Sequence, residues 1–252
     1  MNRATKPTTG DSSITQEQNK NSNKMAIRLE KGQRINLEKT NGSKLTKFLV
    51  GCNWGAIEKR GLFGLKTGEV DVDVDLSCIM TDAQGKLVDT LYSPLYNKQM
   101  FLSQGLPVGK DLSKDGSMYH TPDDTEGDKG GDDGLDNEII TIDLEKVNPN
   151  IDQIFFFLNI FSPHDIDFLK IPYAAIRMCE YEGTQKDIRR IKDVFAQYDV
   201  AKDERFSGKD ALIMGKLYRR NGEWKFAAIG DAFGDGNDLR NTIKRILNSY
   251  TK

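Results

Sequence analysis

The protein has 252 residues, which predicts one or two domains, and 37% of them are hydrophobic, enough for a sizeable core in a soluble protein. Its 36 basic and 38 acidic residues give a net charge of −2, so the chain lacks the basic excess typical of nucleic-acid-binding proteins. No apolar run in the sequence approaches the roughly 18 residues that a membrane-spanning helix needs.

The chain begins with a polar segment, residues 1–24, in which Met1, Ala4 and Ile14 are the apolar residues. Such a segment buries too little apolar surface to offset the entropy lost on ordering, so it is predicted to be a disordered extension. It also lacks the hydrophobic stretch of a secretory signal. We expect residues 25–252 to form a single domain in the cytoplasm.

Strand-like patterns begin at residue 26 and continue along most of the chain. Residues 70–80 alternate between apolar and polar positions, which is typical of a half-buried antiparallel strand, and Asp71, Asp73 and Asp75 lie on its polar face. Residues 154–161 are apolar almost throughout and are expected at the centre of a sheet. Further strands are predicted within 26–54, 87–92, 139–144, 171–180 and 195–200.

The last third of the chain contains the clearest local predictions. Residues 211–219 and 223–229 flank Asn221-Gly222, a dipeptide favoured in the type I′ turns of hairpins. Only the tail has a helical pattern, with Asp235 or Asn237 available as the N-cap. Many short strands and one terminal helix predict an all-β fold, a β-sandwich of two antiparallel sheets with a C-terminal helix and a long acidic loop.

The three cysteines, Cys52, Cys78 and Cys179, are odd in number and far apart. We interpret them as buried free thiols in a reducing compartment. With two histidines and no Cys-x-x-Cys motif, the sequence does not favour a zinc site.

One segment concentrates negative charge. Residues 123–138, hereafter the acidic segment, hold eight carboxylates against the single base Lys129, with four glycines between them. Two carboxylates about 5 Å apart repel each other by roughly 0.8 kcal/mol even in water, and by several times that near a protein surface. The counter-charge that suits oxygen ligands on a flexible glycine-rich loop is Ca²⁺.

The acidic segment could also be a solvated loop that holds no ion. An EF-hand pattern cannot be placed on it, and residues 130–136 resemble one turn of a calcium β-roll without the neighbouring turns that such a roll needs. The aspartates at 71, 73 and 75 favour the interpretation that an ion is bound, because aspartate is disfavoured in strands. A cation between this row and the acidic segment would account for the row and for the concentration of acids in the segment. His120 is expected to orient the loop by hydrogen bonding, since Ca²⁺ prefers oxygen ligands.

Five sequence motifs together resemble the TerD family of tellurium-resistance and general-stress proteins. The resemblance extends from Met25 to about Tyr250 and depends on the order and spacing of the motifs more than on any one of them. They are GCNW at 51–54, DVDLS at 73–77, DGSMYH at 115–120, DNEII at 136–140 and GKLYRRNGEWKF at 215–226.

The resemblance implies a calcium-binding β-sandwich that holds two Ca²⁺ ions. The metal ligands that it implies are Asp73 and Asp75, Asp123 and Asp124, and the run Asp136, Asn137 and Glu138. This chain departs from the family pattern at Pro122, which replaces a glycine, and in a longer loop before residue 136. Asp132 or Asp133 could therefore take the ligand role otherwise given to residue 136. Residues 97–112 also look like an insertion.

The sequence thus predicts a non-enzymatic calcium-binding module of the tellurite or general stress response, rigidified by its ions. Its expected partners are other proteins of a stress-response assembly, which could be associated with a membrane. The sequence indicates neither a nucleic-acid partner nor a small-molecule substrate. The alternative is a metal-dependent hydrolase that uses Mg²⁺ or Mn²⁺ on the same carboxylates. A third hypothesis is a secreted, calcium-stabilised adhesin-like domain, which the missing signal and unpaired cysteines disfavour.

Overall fold

The computed structural model describes residues 26–39, 42–161, 165–201, 203–236 and 238–251, so the extension predicted over 1–24 lies outside the described residues. Within that part the chain forms fourteen strands and two α-helices. In chain order they are β1 (Ile27–Arg28), β2 (Arg34–Asn36), β3 (Lys47–Trp54), β4 (Ile57–Arg60), β5 (Lys66–Val70), β6 (Val74–Thr81), β7 (Leu87–Leu91), α1 (Lys98–Leu102), β8 (Met118–His120), β9 (Glu138–Asp143), β10 (Gln153–Ile160), β11 (Ala174–Thr184), β12 (Asp187–Asp199), β13 (Ala211–Arg220), β14 (Glu223–Phe233) and α2 (Leu239–Ser249).

Twelve of the strands form two six-stranded sheets, which confirms the predicted β-sandwich, and β4 and β5 pair separately as a two-stranded antiparallel sheet. The first sheet has the order β1-β12-β11-β3-β9-β8 and the second the order β2-β14-β13-β10-β6-β7. Neighbours are antiparallel except for the short parallel pair of β1 and β12. The main core fills the space between the sheets, with Phe48 and Ile140 from the first facing Leu76 and Phe156 from the second.

Two strand predictions are confirmed in detail. Strand β10 lies inside the second sheet between β13 and β6 and is buried along its whole length. The hairpin of β13 and β14 turns at Asn221 and Gly222, whose φ angles of 54° and 78° are those a type I′ turn requires. Both features follow from local sequence, because the pattern of apolar side chains and the turn dipeptide act within a few residues.

The prediction of one half-buried strand over 70–80 is wrong. Strand β5 ends at Val70 and β6 begins at Val74, and between them the Val72 amide donates to the Glu126 carbonyl of the acidic segment (3.2 Å). Strand β6 is buried on both faces. The outer face is covered because α2 packs there, bringing Leu239, Ile243 and Ile246 against Ile79.

The helices also differ from expectation. Helix α2 is confirmed, but its N-cap is Asp238, which accepts from the Arg240 amide, and not Asp235 or Asn237. Helix α1 was not predicted; it lies in the segment interpreted as an insertion, and Asn97 caps it by accepting from the amides of Gln99 and Met100. None of the helices in the described part of the chain is both long and apolar enough to cross a membrane.

Candidate metal site

The carboxylates singled out in the sequence gather at two places. Asp73, Asp75 and Asp123 form one group, here the inter-sheet site, in which one carboxylate oxygen from each lies within 4.8 Å of the others. A second group meets the same criterion and is here the loop site; it consists of Asp128, Asp132 and Asp133. Each group offers only oxygen atoms to a cation.

The two sheets supply the inter-sheet site jointly. Asp75 lies on β6 opposite Asn159 of β10, and Asp73 directly precedes β6, where its carbonyl accepts from the Phe161 amide (2.8 Å). Asp123 belongs to the segment that connects β8 and β9 of the first sheet. A cation held by all three carboxylates would therefore connect the two sheets.

Glu138 ties the same region together without belonging to either group. It is the first residue of β9 and fully buried, and its carboxylate accepts from the Leu76 amide on β6 (2.6 Å) and from the Asp124 amide (3.3 Å). His120 acts similarly, as its ring nitrogens lie 2.6 and 2.5 Å from the carbonyl oxygens of Thr121 and Leu76. The expected role of His120 in orienting the loop agrees with these contacts.

The inter-sheet site concentrates negative charge in a buried place. Burial and the neighbouring Asp123 and Asp124 raise the pKa of Asp73 to about 7. Burial and then Asp73 raise the pKa of Asp75 well above its usual value, although the Tyr96 hydroxyl donates to it (2.7 Å). Asp123 Oδ1 is buried and receives no hydrogen bond from the described residues. These groups are therefore costly to ionise together unless a cation joins them.

The loop site is more exposed and is fixed to β3. The Asp128 amide donates to the Trp54 carbonyl (3.0 Å), and its carboxylate accepts from the Tyr173 hydroxyl (2.9 Å). Asp132 accepts from the side-chain amide of Asn53 (3.0 Å). Asp133 Oδ1 accepts from the backbone amide two residues further on (2.8 Å).

Asp128 was not among the predicted ligands, although it is one of the eight carboxylates of the acidic segment. Its position depends on Tyr173 and Trp54, which are distant in sequence. The signal present in the sequence was its spacing of four residues from Asp132.

Asn137 and Asp124 lie between the two groups and organise the loop. The Asn137 side-chain nitrogen donates to Asp124 (3.2 Å) and to Asp128 (3.0 Å), while its oxygen accepts from the Trp54 amide (2.9 Å). Asp124 in turn accepts from the amides of Glu126 and Gly127. Both residues are therefore near the sites, with their polar atoms engaged in holding the acidic segment in shape.

Asp136 lies in neither carboxylate group, because it faces a base. Its buried carboxylate lies 2.6 Å from the Arg177 guanidinium on β11, which also donates to the Gly134 carbonyl (3.0 Å). A Cβ atom at position 51 would collide with this carboxylate, so the glycine there makes room for the pair. Burial raises the pKa of Asp136, and Arg177 opposes that effect.

Asp71 also lies outside the inter-sheet site. It is exposed and pairs with Lys129 of the acidic segment (3.2 Å). The predicted row of three aspartates over one face is therefore reduced to Asp73 and Asp75, because the chain leaves the sheet between Val70 and Val74.

The chain is similar to proteins of known families over nearly all of its described part. The TerD domain model matches residues 25–245. The stress response protein SCP2 of Bacillus subtilis (strain 168) is 34% identical, with 88% of this chain and 100% of that protein covered. General stress protein 16U of the same organism is 35% identical, covering 90% and 97%. The tellurium resistance protein TerD of Serratia marcescens is 30% identical, covering 84% and 93%.

A solved structure has the same fold. The crystal structure of a homologue of telluride resistance protein from Streptomyces coelicolor A3(2) matches with a TM-score of 0.51 over 82% of this chain and 98% of that chain. The sequence identity is 14%, so this likeness concerns the fold alone.

Proposed function

This chain belongs to the TerD family, and from that premise we propose that it is a non-enzymatic, calcium-binding protein of a stress response. Its relatives include proteins named for general stress and for tellurium resistance. We place its action in the cytoplasm, where its ion-stabilised surface binds other proteins of a stress-response assembly.

The observation that carries the proposal is the convergence of three aspartates from both sheets at the inter-sheet site. One Ca²⁺ would be held there by Asp73, Asp75 and Asp123, and a second at the loop site by Asp128, Asp132 and Asp133. Ca²⁺ takes six to eight oxygen ligands in flexible geometry, so waters and backbone carbonyls complete each shell. Glu138, Asp124 and Asn137 support these ligands through the acidic segment.

The donor set fits calcium for two reasons. Every candidate ligand is a carboxylate oxygen, and Asp123 contributes a buried oxygen that accepts no hydrogen bond from the described residues. A cation nearby removes the repulsion that raises the pKa of Asp73 and Asp75. Mg²⁺ demands near-octahedral geometry and keeps several waters, so it suits a partly buried all-carboxylate site less well.

Catalysis is not favoured by the surroundings of the inter-sheet site. His120, the histidine nearest to it in the described part of the chain, has both ring nitrogens against backbone carbonyls. A hydrolase using Mg²⁺ or Mn²⁺ would need a free general base or a cationic group to hold a phosphate there. The ion's proposed role is instead mechanical, since it holds two sheets and the acidic segment in one arrangement.

The test is a calorimetric titration of Ca²⁺ into chelator-stripped protein, with Mg²⁺ as the comparison. We expect saturable binding of two Ca²⁺ ions with micromolar or tighter affinity, and a much weaker response to Mg²⁺. Thermal stability should rise with occupancy, by about 2.7 kcal/mol when free Ca²⁺ is a hundredfold above its dissociation constant. Equal binding of Mg²⁺, or no binding, would overturn the proposal and direct attention to phosphatase and nuclease assays.

Isosteric variants assign the sites. Asp75→Asn and Asp123→Asn should each lower the Ca²⁺ affinity of the inter-sheet site at least tenfold. Asp132→Asn should lower the Ca²⁺ affinity of the loop site. Asp71→Asn is the matched control, because this aspartate is exposed and pairs with Lys129. If Asp71→Asn lowers affinity as much as Asp75→Asn, the effect is one of general charge and the site assignment is wrong.

A further inference from the structure

An apolar groove opens directly onto the inter-sheet site. The cavity has a volume of about 510 Å³ and lies between α1, the first residues of α2 and the start of β6. One end is formed by Asp73, Asp75 and Asp123, and the rest is walled mainly by apolar side chains. The apolar wall consists of Leu95, Tyr96, Met100, Phe101 and Phe161.

Three of the five side chains of the apolar wall are exposed although they are large and hydrophobic, whereas Phe101 is buried. Leu95 is 74% exposed, Phe161 55% and Met100 46%. A folded chain rarely leaves several such side chains together at the mouth of a cavity unless they contact something. Helix α1 supplies part of this wall through Met100 and Phe101.

Tyr96 joins the apolar wall to the carboxylates. Its ring packs against those of Phe101 and Phe161, at centroid distances of 5.6 and 5.4 Å. Its hydroxyl donates to Asp75 (2.7 Å). Tyr96 therefore connects the wall to the inter-sheet site, and a molecule in the groove would contact both.

The chemistry at the polar end limits what can enter. Ionised carboxylates only accept hydrogen bonds, so a head group that reaches them directly must be a donor or a cation, and an anionic head group can reach them only through a bound cation. Asp73, Asp75 and Asp123 line the groove, so a Ca²⁺ ion held by them would be next to it, and Ca²⁺ takes more oxygen ligands than three carboxylates need supply. Asp238 and Arg240 also line the groove, and they pair with each other (2.6 Å), so together they add no net charge to it.

We propose that the groove binds an amphiphile with an anionic oxygen head group, carboxylate or phosphate, whose head completes the coordination of Ca²⁺ and whose aliphatic body lies along the apolar wall. This inference rests on the proposed calcium function and adds a ligand to it. The volume falls in the range of about 300–1,000 Å³ that is usual for small-molecule sites, and the lining has the usual mixture of apolar walls and a few convergent polar groups.

The proposal predicts a mutual dependence between ligand and ion. Octyl phosphate, at concentrations below micelle formation, should bind the full chain at least tenfold more tightly with saturating Ca²⁺ than after chelation. By linkage, octyl phosphate should raise Ca²⁺ affinity by the same factor. Inorganic phosphate serves as the head group alone and should bind at least tenfold more weakly than octyl phosphate.

Matched substitutions locate the binding. The double variant Leu95→Gln/Met100→Gln should weaken octyl phosphate binding at least tenfold and leave Ca²⁺ affinity unchanged. Leu102→Gln is the control, because this residue is on the same helix and 56% exposed but does not line the groove. Equal loss in the control and the double variant would overturn the assignment to the groove.

The outcomes separate this inference from the calcium proposal. If Ca²⁺ binds and octyl phosphate does not, the groove proposal fails alone; if Ca²⁺ itself does not bind, the proposed function fails. Tighter binding of octyltrimethylammonium after chelation, with Ca²⁺ displacing it, would also overturn the inference, because the carboxylates would then hold a cationic head directly. Sedimentation with phosphatidylglycerol vesicles, compared with phosphatidylcholine vesicles, distinguishes a lipid source of the phosphate from a free amphiphile. Ca²⁺-dependent binding of octyl phosphate, or of the phosphatidylglycerol vesicles, supports the proposed groove.

Discussion

Asp136 and Arg177 form a buried ion pair whose role can be separated from metal binding. The side chain of Asp136 is fully buried and that of Arg177 is 14% exposed. Asp136→Asn would leave the guanidinium buried without its counter-charge, which typically costs about 3–5 kcal/mol. We expect a loss of that order in the free energy of unfolding, measured by denaturant titration, and of similar size with Ca²⁺ and with chelator.

A second substitution controls for that interpretation. In Asp136→Asn/Arg177→Met the unpaired charge is removed, so much of the lost stability should return. If Asp136→Asn instead destabilised only the calcium-loaded protein, residue 136 would be a ligand, as the family resemblance implies, and its pairing with Arg177 would be incidental.

The raised pKa of Asp73 predicts an unusual dependence of stability on pH in the chelated protein. In the fold the pKa is about 7, while an unfolded aspartate titrates near pH 4. A carboxyl whose folded pKa is raised stabilises the fold fully below its unfolded pKa, and that contribution is lost as pH rises through the folded value. Denaturation midpoints of chelated protein should therefore fall between pH 6 and pH 8, as Asp73 becomes ionised in the folded protein.

Calcium should cancel this pH effect, because the ion favours the ionised carboxylates. The fall should be absent at saturating Ca²⁺ and reduced in chelated Asp73→Asn, in which one ionisation has been removed. A chelated protein that is equally stable at pH 6 and pH 8 would show that Asp73 ionises as readily in the fold as in the unfolded chain, contrary to its burial beside Asp123 and Asp124.

At the scale of the elements, sequence patterns succeeded where the deciding interactions are local. The turn at Asn221 and Gly222 and the apolar run of β10 need only their own residues to be recognised. The single strand predicted over 70–80 failed because two distant elements decide its structure: α2 covers the outer face of β6, and the acidic segment takes up the Val72 amide. An alternating pattern cannot indicate that a helix 160 residues later will cover its polar face.

The same division applies to the candidate site. Charge density pointed to the aspartates at 71, 73 and 75 and to the acidic segment, and the family resemblance selected Asp73, Asp75 and Asp123 among them, which the fold brings together. The separation of Asp136 from them depends on Arg177, 41 residues away in sequence, and the involvement of Asp128 depends on Tyr173, 45 residues away. Which acids meet which partners is a property of the sheets and could not be read from the spacing of the acids.

At the scale of the whole molecule, the candidate ion lies where the two sheets exchange polar contacts. Glu138 of β9 accepts from the backbone of β6, and His120 of β8 contacts the same strand at Leu76. Asp73 and Asp75 approach from the second sheet and Asp123 from the connection within the first. Separating the sheets would require release of an ion held there, so the proposed metal binding would be coupled to global unfolding and not only to the order of one loop.

The labelling rate of the three buried cysteines can be used to measure the coupling between metal binding and unfolding. Cys52 is on β3, Cys78 on β6 and Cys179 on β11; all are free and buried, and burial raises their thiol pKa. A thiol reagent such as DTNB can therefore react only when the sandwich opens.

Free Ca²⁺ at a hundred times its dissociation constant reduces the opened population about 100-fold, so labelling under native conditions should slow by up to that factor. Mg²⁺ at the same concentration should give little protection, and Asp75→Asn at the same Ca²⁺ concentration should be labelled about tenfold faster than the unsubstituted protein. Unchanged labelling in protein that calorimetry shows to be saturated would mean that the sheets separate while the ion stays bound, and the proposed inter-sheet role would then be wrong.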